Sequence, residues 1–146
     1  MHITMEADYA VRIVDTIARN EGRVTSDTIA EQACVTHKFS LLILRKLVAK
    51  GIVSVFRGSS GGYELARPAD EITIYEVLQA IAGPLVINRC TLDETPCNKW
   101  PTCECPYRNM FNKLTCYIQE QLADVTFADV VNAGKQTQNL SSTGIS

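Results

Sequence analysis

"THKFSLLILRKLVAKGIVSVFRGSSGGYELAR", residues 36–67, changes its hydrophobic period halfway along. In the first half, Phe39, Ile43, Leu44, Leu47 and Val48 recur at helical spacing, so they are expected on the inner side of a helix from Thr36 to Lys50. Thr36 suits the N-cap and Gly51 the position just past the end. In the second half the period is two. Val53 and Val55 alternate with Ser54 and Phe56, and Tyr63 and Leu65 with Glu64 and Ala66. Between the two strands lies Gly58-Ser59-Ser60-Gly61-Gly62, a tip whose glycines permit positive φ and close backbone approach.

Upstream, Thr4 to Asn20 reads as a helix, with Thr4 as cap and Met5, Tyr9, Ile13, Val14 and Ile17 as its apolar stripe. A short helix follows from about Ser26 to Ala33. Cys34, expected as a small buried residue, and Val35 make the turn into the helix beginning at Thr36. Two short helices joined by such a turn are a helix-turn-helix, and a hairpin directly after the second makes it a winged helix. The fold class expected is mainly α with a small β-hairpin wing.

Downstream, "TIYEVLQAIAG" is a helix with Thr73 and Glu76 as capping box and Gly83-Pro84 as stop. After the connector "LVIN" comes a cysteine-rich loop, and Pro106 then opens a last long helix. There Met110, Leu114, Tyr117, Ile118, Leu122 and Val125 recur at spacings of three and four. Such a helix is as long as a small domain is wide and is expected to pack on a second copy of the chain. Cys116, inside it, reads as structural. Thr126 caps a short terminal turn, "FADVV". The division expected is residues 1–83 winged helix-turn-helix, 84–105 connector and cysteine loop, 106–131 dimerisation and short terminal helices, and 132–146 a polar, disordered tail.

With 146 residues, 46% of them hydrophobic, the chain can bury a real core in one domain. The N-terminal stretch carries Glu6 and Asp8 and no apolar run, and nothing approaches a membrane span, so a cytoplasmic protein is expected. Net charge is −2, which by itself announces no nucleic-acid binder. Yet from Thr36 to Arg67 the basic residues Lys38, Arg45, Lys46, Lys50, Arg57 and Arg67 face one acid, Glu64. Local positive charge is all a phosphate-contacting patch requires. The residues expected to meet DNA are Thr36, His37, Lys38, Ser40, Leu41 and Arg45 on the helix, and Arg57, Ser59, Ser60 and Gly61 on the wing.

Four cysteines, Cys90, Cys97, Cys103 and Cys105, fall within "CTLDETPCNKWPTCEC". Pro96, Pro101 and Pro106 keep that stretch out of regular structure. In a cytosolic chain such density points to a soft metal rather than to disulfides, and thiolates hold iron–sulfur clusters. A four-thiolate zinc site is an alternative, although the spacing lacks paired Cys-x-x-Cys knuckles. With only His2 and His37 and no phosphate loop, no enzyme chemistry is expected.

Together these motifs resemble the winged-helix regulators that include IscR, NsrR, RsrR and CymR. The resemblance covers roughly residues 1–131 and rests on "DYAVR", "IAEQACV", "LRKLVAKGIV" and "RGSSGGYELARPADEITIYEVLQAIAG". It implies a homodimeric transcription regulator that binds double-stranded DNA, joined through crossed C-terminal helices. It further implies an iron–sulfur cluster, 4Fe-4S or 2Fe-2S, held by Cys90, Cys97 and Cys103. Cys105 is an alternative thiolate. No histidine follows the third cysteine, whereas Asp8 stands one place before Tyr9, as in NsrR-like members, where the equivalent aspartate ligates across the dimer. Such a cluster would sense nitric oxide, redox state or cluster supply. CymR-like members imply a cluster-free alternative governed by a partner protein or thiol oxidation. Where the family often carries Tyr-Leu-Glu in the recognition helix, this chain has Phe39-Ser40-Leu41, so an acidic base reader is missing.

Overall fold

A computed structural model describes residues 3–92 and 105–142, with side chains through 136. Six helices and one hairpin are formed among them. α1 is Met5–Arg19, α2 Ser26–Gln32 and α3 His37–Ala49. The hairpin pairs β1, Val53–Phe56, with β2, Gly62–Leu65, in antiparallel register from Val53 opposite Leu65 to Phe56 opposite Gly62. α4 is Ile74–Ala82, α5 Pro106–Ala123 and α6 Phe127–Ser142.

The helix starts follow cap chemistry. Thr4, Thr25 and Thr73 each accept a hydrogen bond on the side-chain oxygen from the backbone N–H three residues on. α1 is the hub, packed by α2, α3, α4, α6 and β2. Its Ala10, Ile13, Val14 and Ile17 meet Ile29, Ile43, Leu44, Leu47, Ile52, Val77 and Phe127 in one core. Each large apolar side chain so buried contributes about 1.5–3 kcal/mol relative to exposure.

Three expectations about this region are corrected. Phe39 does not face the core: it is 42% exposed and meets Tyr9 edge-on, with ring centroids 6.0 Å apart. The inner line of α3 is Ser40, Ile43, Leu44 and Leu47, and Phe39 stands about 100° round the helix from Ser40. Cys34 is exposed, not buried, and sits at φ 55°, where the chain reverses between α2 and α3. Cys116 lies exposed on α5 rather than serving as packing.

The tail also differs from expectation. It is not disordered from residue 132, because α6 continues to Ser142. Thr126 and Asp129 cap it reciprocally: Asp129 N–H donates to Thr126 Oγ1 at 3.2 Å, and Thr126 N–H donates to the Asp129 carboxylate at 2.9 Å. The Thr126 hydroxyl, donating to the same carboxylate at 2.6 Å, and with it the Thr126 N–H, hold the Asp129 carboxyl below the usual carboxylate range. Phe127, fully buried, plants the start of the helix in the core, and a polar composition does not prevent the helix from continuing.

Two hydrogen bonds join the ends of this arrangement. Ile74 N–H donates to Val125 O and Phe127 N–H to Ile72 O, both at 3.0 Å, so the end of α5 is fastened beside the start of α4. Past the other end of α4, Ile87 N–H donates to Thr115 Oγ1 at 3.3 Å and Gln119 Nε2 to Leu85 O at 2.8 Å. α4 therefore lies antiparallel to the second half of α5.

Candidate nucleic-acid interface and cysteine segment

α3 presents an outer stripe opposite its core line. Lys38, Leu41, Leu42 and Arg45 stand at i, i+3, i+4 and i+7, and with His37 and Phe39 they line a shallow open groove. α3 carries no carboxylate. Lys38, Arg45, Lys50 and Arg57 make no ion pair among the described residues, leaving their charge for an external anion. Lys46 and Arg67, counted in the same basic stretch, are already engaged: Lys46 with Glu6, and Arg67 with Glu76 and the Glu71 carbonyl.

Other expected contact residues divide. Thr36 is an exposed N-cap whose hydroxyl makes no capping bond, so it is left for a ligand. His37 Nε2 lies 3.2 Å from both Ser26 Oγ and Asp27 Oδ1, tying the start of α3 to α2. Ser40 is corrected outright. It is fully buried on the inner line, its Oγ finds no partner among the described residues, and it cannot reach DNA.

On the wing, Arg57, Ser59 and Ser60 are exposed at the tip. The last two glycines of the tip are required by close approach. A Cβ on Gly61 would lie 2.6 Å from Phe56 O, and one on Gly62 would lie 2.8 Å from Val24 O. Val24 and Tyr63 exchange two backbone hydrogen bonds of 2.8 Å, which pin β2 to the segment before α2.

Arg23 was not legible as a functional residue. Its guanidinium lies 3.7 Å from the centroid of the Phe56 ring, donates to Ser60 O at 3.3 Å and approaches Glu64 at 3.7 Å. It braces the wing from behind. The signal for it is long-range, since no local pattern links residue 23 to residues 56–64. Leu42 was also missed, because the apolar run "LLIL" hides which leucine faces out.

The cysteine region is built differently. Cys90 lies in a single 3-10 turn, Arg89–Thr91, that packs on α5, and Cys105 caps the start of that helix. Both are half-buried free thiols at the two ends of one segment. Cys97 and Cys103 lie outside the described residues. Among the described residues no three ligand-type side chains gather. The Asp8 carboxylate pairs with Arg12 at 2.7 Å, one turn on.

α5 has only Thr115 buried. Tyr107, Met110, Leu114 and Tyr117 stand exposed on it, Tyr117 by 60%. Its first half, residues 106–114, contains no buried side chain.

A recognition helix with free cations beside a braced glycine-rich wing defines a winged-helix DNA-binding protein. Residues 3–133 match the model of the Rrf2 family, described as iron-dependent transcriptional regulators, and the chain belongs to that family. It is similar to an HTH-type transcriptional regulator of Mycobacterium tuberculosis strain H37Rv, Rv1287, at 32% identity over 89% of this chain and 81% of the relative. A Haemophilus influenzae HTH-type regulator is 28% identical over 90% of this chain and 87% of its own. Among solved structures, T. potens IscR superposes with TM-score 0.77 at 22% identity, covering 94% of this chain and 91% of that one. CymR, the global cysteine regulator of B. subtilis, superposes with TM-score 0.74 at 21% identity over 91% and 98%. These likenesses extend the winged-helix fold through α5. The chain is a DNA-binding transcription regulator and not an enzyme.

Proposed function

We propose that two copies of this chain pair through α5 and regulate transcription in the cytoplasm under the control of an iron–sulfur cluster. Cys90, Cys97 and Cys103 would hold the cluster, with Asp8 from the second copy or Cys105 completing the set. When bound, such a cluster supplies a centre whose ligation responds to nitric oxide, oxidants and iron supply.

One observation carries the reading. The segment containing the cysteines begins and ends against α5, the helix with the largest exposed apolar face, and both end thiols are half-buried and free. The donor set fits the group, since thiolates are the ligands iron–sulfur clusters take. A shift at Cys90 passes through Leu85 and Ile87 to Thr115 and Gln119 of α5. Through the contact of α4 with α3 it also reaches the recognition helix. Asp8 sits on α1 beside Tyr9, whose ring meets Phe39 of α3, so a ligand bond at Asp8 would act on the reading helix from its other side.

Purification without oxygen, followed by iron, sulfide and absorption measurements, tests the cluster. Titration with nitric oxide against promoter DNA tests the control. Brown protein whose DNA affinity changes on nitrosylation is the expected result. Colourless, iron-free protein that binds its promoter normally would remove the cluster reading and leave the thiol- or partner-controlled one. Colourless protein containing stoichiometric zinc would favour the four-thiolate site.

A further inference from the structure

α3 lacks the side chains that read adenine bidentately or accept from the cytosine amino group. Its sequence, His37 to Ala49, contains no Asn, Gln, Asp or Glu. Bidentate recognition of adenine takes Asn or Gln, and acceptance from the cytosine amino group takes Asp or Glu. The stripe does hold two leucines between two cations. Leu42 points outward and is 45% exposed, Leu41 is half-buried beside it, and Lys38 and Arg45 flank both. Among the described residues Leu42 keeps nearly half of its surface open, inside the groove that Lys38 and Arg45 line. In the major groove, the one base feature that an aliphatic side chain recognises is the C5-methyl group of thymine.

We infer that Leu42, supported by Leu41, reads thymine methyl groups, and that this contact sets base preference at the centre of each half-site. The inference rests on α3 being the element that enters the major groove. Lys38 and Arg45 then have two uses, phosphate or guanine O6 and N7. Phe39, held edge-on by Tyr9, walls one side of the groove and limits how far the helix can roll. The acidic reader expected from relatives is replaced here by an apolar one, so specificity moves from hydrogen bonding to burial of methyl groups.

The experiment separates the inference from the DNA-reading assignment. Full-length protein prepared without oxygen selects binders from a pool of random 30-base-pair duplexes. The selected duplex is then remade with deoxyuridine in place of thymidine, one position at a time. Uracil pairs as thymine does and lacks only the methyl group. One or two positions per half-site should lose about fourfold in affinity, the worth of one buried carbon. In Leu42→Ala, those positions should no longer distinguish thymine from uracil, while the salt dependence of binding stays as in the wild type. Leu42 is exposed, so the variant should fold, and an unchanged circular dichroism spectrum checks that it does. Tight selection with no uracil-sensitive position would overturn the methyl reading alone. Loss of discrimination in Arg57→Ala but not in Leu42→Ala would also overturn it. Selection of no duplex at all would overturn both this and the placement of α3 in the groove.

Discussion

The reading end and the cysteine end of this molecule are finished to different degrees. Around α3 and the wing, the supports lie within one chain. Arg23 braces the tip, Tyr63 pairs with Val24, His37 ties to α2 and Lys46 to Glu6. Around α5, one residue is buried and a row of large apolar side chains faces outward. An exposed apolar row of that kind marks an interaction surface. The reading end is braced within the single chain; in the proposed function the other end would be completed by a second copy and a cluster.

The harshest way to break that contrast is to charge the open face. Leu114→Glu combined with Tyr117→Glu should turn a dimer into a monomer by analytical ultracentrifugation while leaving helix content unchanged. DNA affinity should fall by about a hundredfold or more, as two linked half-site contacts become one. A double variant that remains dimeric would assign the pairing elsewhere. Next in size, Cys90→Ala should abolish stoichiometric iron in anaerobic preparations. It should shift the thermal stability of the rest by less than about 1 kcal/mol, because the residue lies in a half-buried turn outside the core. Full iron loading in that variant would exclude Cys90 as a ligand.

At the reading end the effects should be graded. Arg57→Ala should weaken binding to all duplexes alike and reduce the slope of log affinity against log salt by about 0.9 per copy, the signature of one lost phosphate. A sequence-selective loss would instead place Arg57 on a base. Ser40→Ala should leave DNA binding intact and raise stability by about 1 kcal/mol, since it removes a buried hydroxyl without a partner. Chemical denaturation measures this, and destabilisation would mean that the hydroxyl is satisfied after all. The smallest effect concerns pH. The Asp129 carboxyl sits below its ordinary range in the folded chain, so its contribution to the α6 cap is present above the normal carboxylate pKa and is lost as pH falls through the lowered one. Asp129→Asn should therefore flatten the acid side of the stability profile; an unchanged acid limb would show that the cap does not matter there.

What the sequence made legible was what local rules govern. Thr4 and Thr73 announced their helices, alternation announced the hairpin, and Gly61 and Gly62 announced the wing tip. Residues whose placement depends on distant partners were not legible. Phe39 reads as core by hydrophobicity, yet its angle round α3 turns it to Tyr9. Ser40 reads as a polar contact, yet the same angle buries it. Nothing near residue 23 reveals Phe56 and Glu64. The polar run after Val131 hides a helix whose buried footholds are Phe127 and Val131, Phe127 being set into a core made mostly by the first eighty residues. Of the cysteine site, the residue types were legible and two of its positions, Cys97 and Cys103, lie outside the described residues.

α5 is stitched to both flanks of α4, through Val125 and Phe127 at one end and through Leu85 and Ile87 past the other. A beam riveted at two points does not swing on a pivot. α5 and the winged helix should therefore travel as one rigid arm, and if two copies pair through α5 as proposed, a signal at that joint should reach each reading helix mainly as a change in the angle between arms.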